Sequence, residues 1–140
     1  MTKRTLFTRE HDYALRIAAY LASFNKDEII SVNELSTKLR ISKIFTARIV
    51  HKLRIANITG AVQGKYGGVF LKSPAENLSV WDVINAVGTD IKINECLNEH
   101  YSCELLFGCK FHHMFHSVEK ILIDRLKQEK ISNYIFHQIK

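Results

Sequence analysis

The sequence predicts a mainly α chain carrying one small β-hairpin, and three observations predict it. Apolar residues recur at intervals of three and four in five separate stretches, as they do along helices with one buried face. Two β-prone runs, Ile58-Thr59-Gly60-Ala61-Val62 and Gly68-Val69-Phe70-Leu71, flank a Gly-rich tip and read as a hairpin. Between residues 88 and 108 the helical rhythm stops, and two of the three cysteines fall in that gap.

Composition bounds the rest. A chain of 140 residues with 46% hydrophobic content has room for one core. Six Gly and one Pro exclude collagen-like and Pro/Gly-rich disordered chains. No run approaches the roughly 18 apolar residues of a membrane span. The basic start, Met1 to Phe7, lacks the apolar stretch and cleavage site of a signal peptide. The chain therefore reads as cytoplasmic, with no membrane partner.

The first predicted helix runs from Thr8 to Phe24, with Tyr13, Ile17, Tyr20, Leu21 and Phe24 as its stripe and Thr8 or Asp12 as its cap. Asn25-Lys26-Asp27 follows as a turn. Ser31-Val32-Asn33-Glu34 has the form of a capping box, opening a short helix with Val32, Leu35 and Leu39 inward. After a tight connection at Arg40-Ile41, Ser42 caps a third helix from Lys43 to about Ala56, with Phe45, Ile49, Val50 and Leu53 buried. Asn57 stands where this helix must stop, and Asn tolerates the left-handed conformation found there.

A short helix, a tight turn and a longer basic helix form a helix-turn-helix pattern. The hairpin directly after it is a wing, whose glycines let the tip approach a sugar–phosphate backbone. The fold class is thus mainly α with a small β-hairpin wing: a winged helix-turn-helix plus a long C-terminal dimerisation helix. Candidate DNA contacts are Ser42, Lys43, Thr46, Ala47, Arg48, His51 and Lys52 on the longer helix, and Gln63, Lys65 and Tyr66 on the wing. Charge agrees in sign. Residues 1–73 hold 13 Lys and Arg against 5 Asp and Glu, net +8, whereas residues 74–140 hold 7 against 9, net −2. The basic excess lies wholly in the half that would face a polyanion.

Pro74 closes a DNA-binding module at residues 1–74. Residues 75–140 carry the cysteine loop and the dimerisation helix, continuous with the first module. Within them, Leu78 to Val87 reads as a helix with Val80, Trp81, Ile84 and Val87 on one side. From about Lys110 to Lys130 a long helix carries Phe111, Phe115, Val118, Leu122 and Leu126 in a rhythm close to a coiled-coil seam. Little chain remains to cover that stripe, which points to a homodimer.

The three cysteines are spaced Cys96-x6-Cys103-x5-Cys109. An odd number in a cytoplasmic chain argues against a disulfide scaffold. No C-x2-C pair is present, as a structural zinc site commonly has. Three thiolates in one loop suit an iron–sulfur cluster, with one ligand position left for another group.

This order of features resembles the IscR/NsrR family of bacterial iron–sulfur transcription regulators over nearly the whole chain. The resemblance rests on Asp12-Tyr13-Ala14-Leu15-Arg16, on Ile41-Ser42 through Leu53, and on Gly64-Lys65-Tyr66-Gly67-Gly68. It rests also on Leu78-Ser79-Val80-Trp81-Asp82-Val83-Ile84 and on the cysteine loop before a long helix. It implies a homodimer that binds a double-stranded DNA operator and senses nitric oxide, an oxidant or iron–sulfur status through its cluster. In NsrR-like relatives an Asp from the first helix of the partner subunit caps a [4Fe-4S] cluster, and Asp12 is the match. In IscR-like relatives a His three residues after the last Cys binds a [2Fe-2S] cluster, and His112 is the match. The NsrR-like set, with Asp12, is favoured.

This chain departs from the family pattern at Thr46, where a large aliphatic is usual, and at Asn57, where Gly is usual. It has Ala47-Arg48 where IscR-like relatives have an acidic residue and an amide. Operator sequence does not transfer across those changes. The expected function is a cluster-sensing repressor. The alternative is a regulator of the same fold that senses through cysteine oxidation or a partner protein. A small redox enzyme is disfavoured, because no C-x-x-C and no nucleophile with a catalytic base is evident.

Overall fold

The structure, a computed structural model, describes residues 4–88 and 91–135. Met1 to Lys3 of the basic start, Thr89 and Asp90 at the head of the cysteine loop, and residues 136–140 lie outside that description. Among the described residues there are five α-helices: α1 (Arg9–Leu21), α2 (Val32–Leu39), α3 (Lys43–Ile55), α4 (Val80–Ala86) and α5 (Lys110–Gln128). Two antiparallel strands, β1 (Thr59–Val62) and β2 (Gly68–Leu71), pair in register from Thr59 opposite Leu71 to Val62 opposite Gly68. Short 3-10 turns stand at Glu95–Leu97, Leu106–Gly108 and Ile131–Tyr134. Among the described residues no helix is long and apolar enough to cross a membrane.

Four helix starts are fixed by side chains that accept otherwise unpaired backbone N–H groups, whereas α5 has no side-chain cap. Thr8 caps α1, taking the His11 N–H, while the His11 ring nitrogen Nδ1 accepts from the Thr8 N–H at 3.1 Å. Ser42 caps α3 and Ser79 caps α4, the latter with Asp82 completing a reciprocal capping box. Ser31 caps α2 as expected, but Glu34 does not return the bond, because its carboxylate accepts from the Tyr20 hydroxyl at 3.2 Å. That contact ties α1 to α2. Arg40 and Asn57 close α2 and α3 with positive φ of 56° and 60°.

The core gathers one face from each early element: Ala14, Ile17 and Ala18 of α1, Leu35 and Leu39 of α2, and Ile49 and Leu53 of α3, with Val69 of β2. Val83 of α4 and Ile131, beyond α5, enter the same core. The Ile131 N–H donates to the Leu78 carbonyl at 2.9 Å and the Val80 N–H to the Glu129 carbonyl at 2.8 Å, which pins the end of α5 to the start of α4. On α4, Val83 and Ile84 are the residues buried, whereas Trp81 is half-buried. A single residue, Ile30, bridges to Val69 as a third strand of minimal length.

Burial pushes the His11 imidazole below its ordinary value, with Glu10 pulling weakly the other way. Charging it would also remove the acceptor for the Thr8 N–H. The unfolded chain therefore takes up more protons below the ordinary histidine value of 6.5, and stability falls as pH drops through and below it. His11→Gln keeps an acceptor at this helix position without the titration. Its melting temperature is expected to fall less than the wild type's between about pH 7.5 and about pH 5.5. Equal slopes in the two proteins would sink this assignment.

Candidate nucleic-acid interface and cysteine loop

Helix α3 contains no Asp or Glu and presents Lys43, Ala47, Arg48 and His51 to solvent. Its outer residues are oriented by a stack of rings and cations. The Arg48 guanidinium lies over the Phe45 ring at 5.4 Å, and Phe45 meets Tyr13 of α1 edge-on at 5.4 Å. Cation–π contacts of this kind hold a long side chain in one direction. A groove between α3 and the wing is lined by Ala47, His51, Arg54, Gln63 and Gly64 among others. At the wing tip Gln63, Lys65 and Tyr66 are exposed, with Lys65 lying over the Tyr66 ring at 5.6 Å. Gly64 takes φ +113°, which turns the tip and which a side chain rarely allows.

Two residues expected on the DNA-facing side are placed otherwise. Thr46 is fully buried, and its hydroxyl donates to the Ser42 carbonyl at 2.9 Å, a bond that a large aliphatic at this position would lack. Lys52 turns inward: its Nζ pairs with Glu10 of α1 and donates to the Val87 carbonyl at 3.2 Å. Ser42 is exposed, but its hydroxyl accepts the Phe45 N–H as the α3 cap. Conversely, sequence reasoning passed over Arg54 and Ile44. Ile44 is 79% exposed on the first turn of α3, and an apolar residue on a helix otherwise looks like core. Its signal was position, three and four residues before Ala47 and Arg48 on one helical face.

The three thiols are free and half-buried. The Cys96 sulfur accepts from the Asn94 amide at 3.1 Å and contacts the His112 ring nitrogen Nδ1 at 3.3 Å. His112 stands in the first turn of α5, so that helix and the loop meet at Cys96. A second tie lies deeper. The Ile93 N–H donates to the Glu119 carboxylate at 3.1 Å, and Lys92 approaches it at 3.5 Å. Glu119 is the one described residue of α5 that is buried.

Among the described residues no three of His, Cys, Asp and Glu converge as a metal site, so Cys103 and Cys109 are not gathered with Cys96 and His112. Asp12 sits on the exposed side of α1, bound by both oxygens to Arg16 at 2.7 and 3.2 Å. The donor set of three thiols and an imidazole has the chemistry for an iron–sulfur cluster. One thiol–imidazole pair of it is already in contact.

The expected seam of α5 divides between two faces. Phe111 and Val118 are exposed, whereas Phe115, Leu122 and Leu126 are half-buried within the chain. Leu126 lines an apolar cavity with Leu15, Ala19, Val80 and Ile131. The exposed ridge is Phe111, Met114, Val118 and Ile121, spaced three, four and three.

The family model Rrf2, described as an iron-dependent transcriptional regulator, matches residues 7–135. The HTH-type transcriptional regulator NsrR of Bacillus licheniformis is 26% identical over 132 residues, covering 94% of this chain and 92% of that protein. Among solved structures, CymR, the global cysteine regulator of B. subtilis, superposes with a TM-score of 0.68 at 20% identity, over 96% of both chains. IscR of T. potens gives a TM-score of 0.70 at 16% identity, over 91% of this chain and 84% of that one. At these identities the two structures establish the fold.

Proposed function

The chain belongs to the Rrf2 family of transcriptional regulators, and on that premise we propose that it is a homodimeric repressor whose hold on operator DNA depends on an iron–sulfur cluster in its cysteine loop. The family consists of DNA-binding regulators rather than enzymes, which fits a chain whose polar groups converge on a basic helix and a wing. The carrying observation is the Cys96–His112 contact, which places one thiol of the loop against an imidazole on the long helix. Cys96, Cys103 and Cys109 would supply three ligands. His112 is the fourth that this geometry favours, and Asp12 of the partner subunit is the alternative. When bound, such a cluster supplies a centre open to oxidants and nitric oxide at the position not held by sulfur. The chain's own part is to hold the loop. Asn94 and His112 bond the Cys96 sulfur, and Glu119 receives the Ile93 N–H, so residues 92–96 are fastened to α5.

The test is the absorption spectrum of protein prepared without oxygen, with iron and acid-labile sulfide quantified. A brown wild type is expected, and Cys96→Ala, Cys103→Ala and Cys109→Ala should each be colourless. His112→Ala should shift the spectrum while Asp12→Ala leaves it unchanged. The reverse pattern would move the fourth ligand to Asp12. A colourless wild type would sink the cluster reading and leave the second one, sensing by thiol oxidation or through a partner protein. Three free thiols in one loop support that second reading.

On the DNA side, Arg48→Ala and Lys65→Ala are each expected to weaken binding by roughly 5- to 100-fold. The salt slope should fall by about one for whichever residue contacts a phosphate. Unchanged affinity in both variants, measured on a duplex selected by the protein from a random library, would remove these residues from the interface.

A further inference from the structure

We propose that Lys52 is a positioning residue that couples the cysteine loop to the recognition helix, and that it does not contact DNA. It lies on α3 two turns beyond Ile44, half-buried, with its ammonium group directed at two other helices. The Nζ forms an ion pair with Glu10, in the first turn of α1, and donates to the Val87 carbonyl at 3.2 Å, at the C-terminal cap of α4. Three elements thus meet on one ammonium group. Both acceptors suit a cation: Glu10 is a carboxylate, and the last carbonyls of a helix carry partial negative charge without an intrahelical donor.

The two acceptors sit at positions of consequence. Val87 is followed by Gly88 at φ +85°, where the chain leaves α4 for the segment that leads to Cys96. Glu10 stands two residues before Asp12, the alternative fourth ligand. Residues 92–96 are fastened to α5 through Glu119 and His112, and the end of α5 is pinned to the start of α4, so a change in how the loop is held reaches α4, and Lys52 passes it from Val87 to α3. Lys52 lies between Ile49 and Leu53, which are fully buried, so α3 responds to such a pull as a unit rather than by moving one side chain. The inference rests on the proposed sensing role of the loop.

The experiment compares wild type, Lys52→Met, Lys52→Arg, Glu10→Gln and the Glu10→Gln/Lys52→Met double variant on the library-selected duplex. Affinities are measured with the chromophore present and after its removal, across a salt series. A positioning role predicts that Lys52→Met weakens binding by about tenfold, that Glu10→Gln, which leaves the Val87 bond in place, weakens it by less, and that the double variant is no worse than Lys52→Met, because that substitution already removes both interactions. The salt slope should stay unchanged, and the ratio of affinities between the two states should collapse toward one. Lys52→Arg should retain both affinity and ratio.

A phosphate contact predicts the opposite. Lys52→Met alone would weaken binding, the slope would fall by about one, and Glu10→Gln would bind as well or better. That result overturns the proposal. Weaker binding in both variants with the two-state ratio preserved also overturns it, since Lys52 would then only support the fold. A colourless wild type removes the cluster reading alone. The ratio is then taken between thiol-reduced and diamide-oxidised protein, and variants that keep the wild-type ratio there reject the coupling.

Discussion

Gly68→Ala is expected to unseat the wing and to lower stability by about 2–4 kcal/mol, combining the usual cost of overpacking with weakened hydrogen bonds. A Cβ at this position would stand 2.4 Å from the Ile30 carbonyl oxygen, 2.6 Å from its carbon and 2.9 Å from the Ser31 nitrogen. All three are backbone atoms, so no side-chain rotation relieves the contact. Either β2 or the segment before α2 must withdraw. Both paired hydrogen bonds, from the Ile30 N–H to Val69 at 2.9 Å and from the Val69 N–H to Ile30 at 2.8 Å, lie at this seam. For a chain of this size the loss corresponds to a melting temperature lower by roughly 10 °C. Because Ser31 caps α2, the damage extends from the wing into the helix-turn-helix, and DNA binding should weaken as well. Gly108→Ala is the control, since nothing lies within 4 Å of its added carbon and its φ is not positive. Equal melting temperatures for Gly68→Ala and Gly108→Ala would show that the wing can shift at no cost.

The position of Gly68 illustrates which parts of this fold local sequence encodes. Helix starts were legible because Thr8, Ser31 and Ser42 satisfy backbone donors within three residues of themselves. The hairpin was legible because β-prone runs flank glycines. The Ile30 bridge was not, since a strand of one residue has no alternation to read. For the same reason, Gly68 fits the β-prone run, and nothing local in it signals the close backbone approach that the residue answers.

The site residues divide in a similar way. Arg48, His51 and Lys65 stand exposed, as a DNA contact needs. Thr46 and Lys52 do not, because their partners, the Ser42 carbonyl on one hand and Glu10 and Val87 on the other, become visible only once tertiary packing is known. Glu119 was missed altogether. A carboxylate in an amphipathic helix reads as a solvated face, and its burial is explained by the Ile93 N–H and the Lys92 ammonium, both from the loop. The long helix misled for a different reason. Its apolar residues occupy two faces, so the sequence stripe took Phe111 and Val118 from the exposed one and Phe115, Leu122 and Leu126 from the one packed within the chain.

That division sets the second large expected effect. Val118→Glu/Ile121→Glu should convert the proposed dimer to monomers without unfolding the chain. Val118 and Ile121 are 47% and 67% exposed in the single chain, so two glutamates there meet water in a monomer and helix α5 is retained. In a dimer they would sit at the centre of the Phe111, Met114, Val118 and Ile121 ridge. Two charges from each protomer would then be buried without partners, a cost of several kcal/mol. Sedimentation equilibrium should report half the wild-type mass while the far-ultraviolet circular dichroism stays the same. Operator affinity should fall by roughly 100-fold or more, because one recognition helix no longer tethers a second to the neighbouring half-site. Leu122→Glu/Leu126→Glu is the discriminating comparison. Both side chains are half-buried within the single chain, Leu126 beside Leu15, Ala19, Val80 and Ile131, and charging them should reduce the helical signal and the melting temperature before it affects mass. Should Val118→Glu/Ile121→Glu remain dimeric and Leu122→Glu/Leu126→Glu dissociate while folded, the subunit contact lies on the inner face of α5, and the exposed ridge must have another occupant.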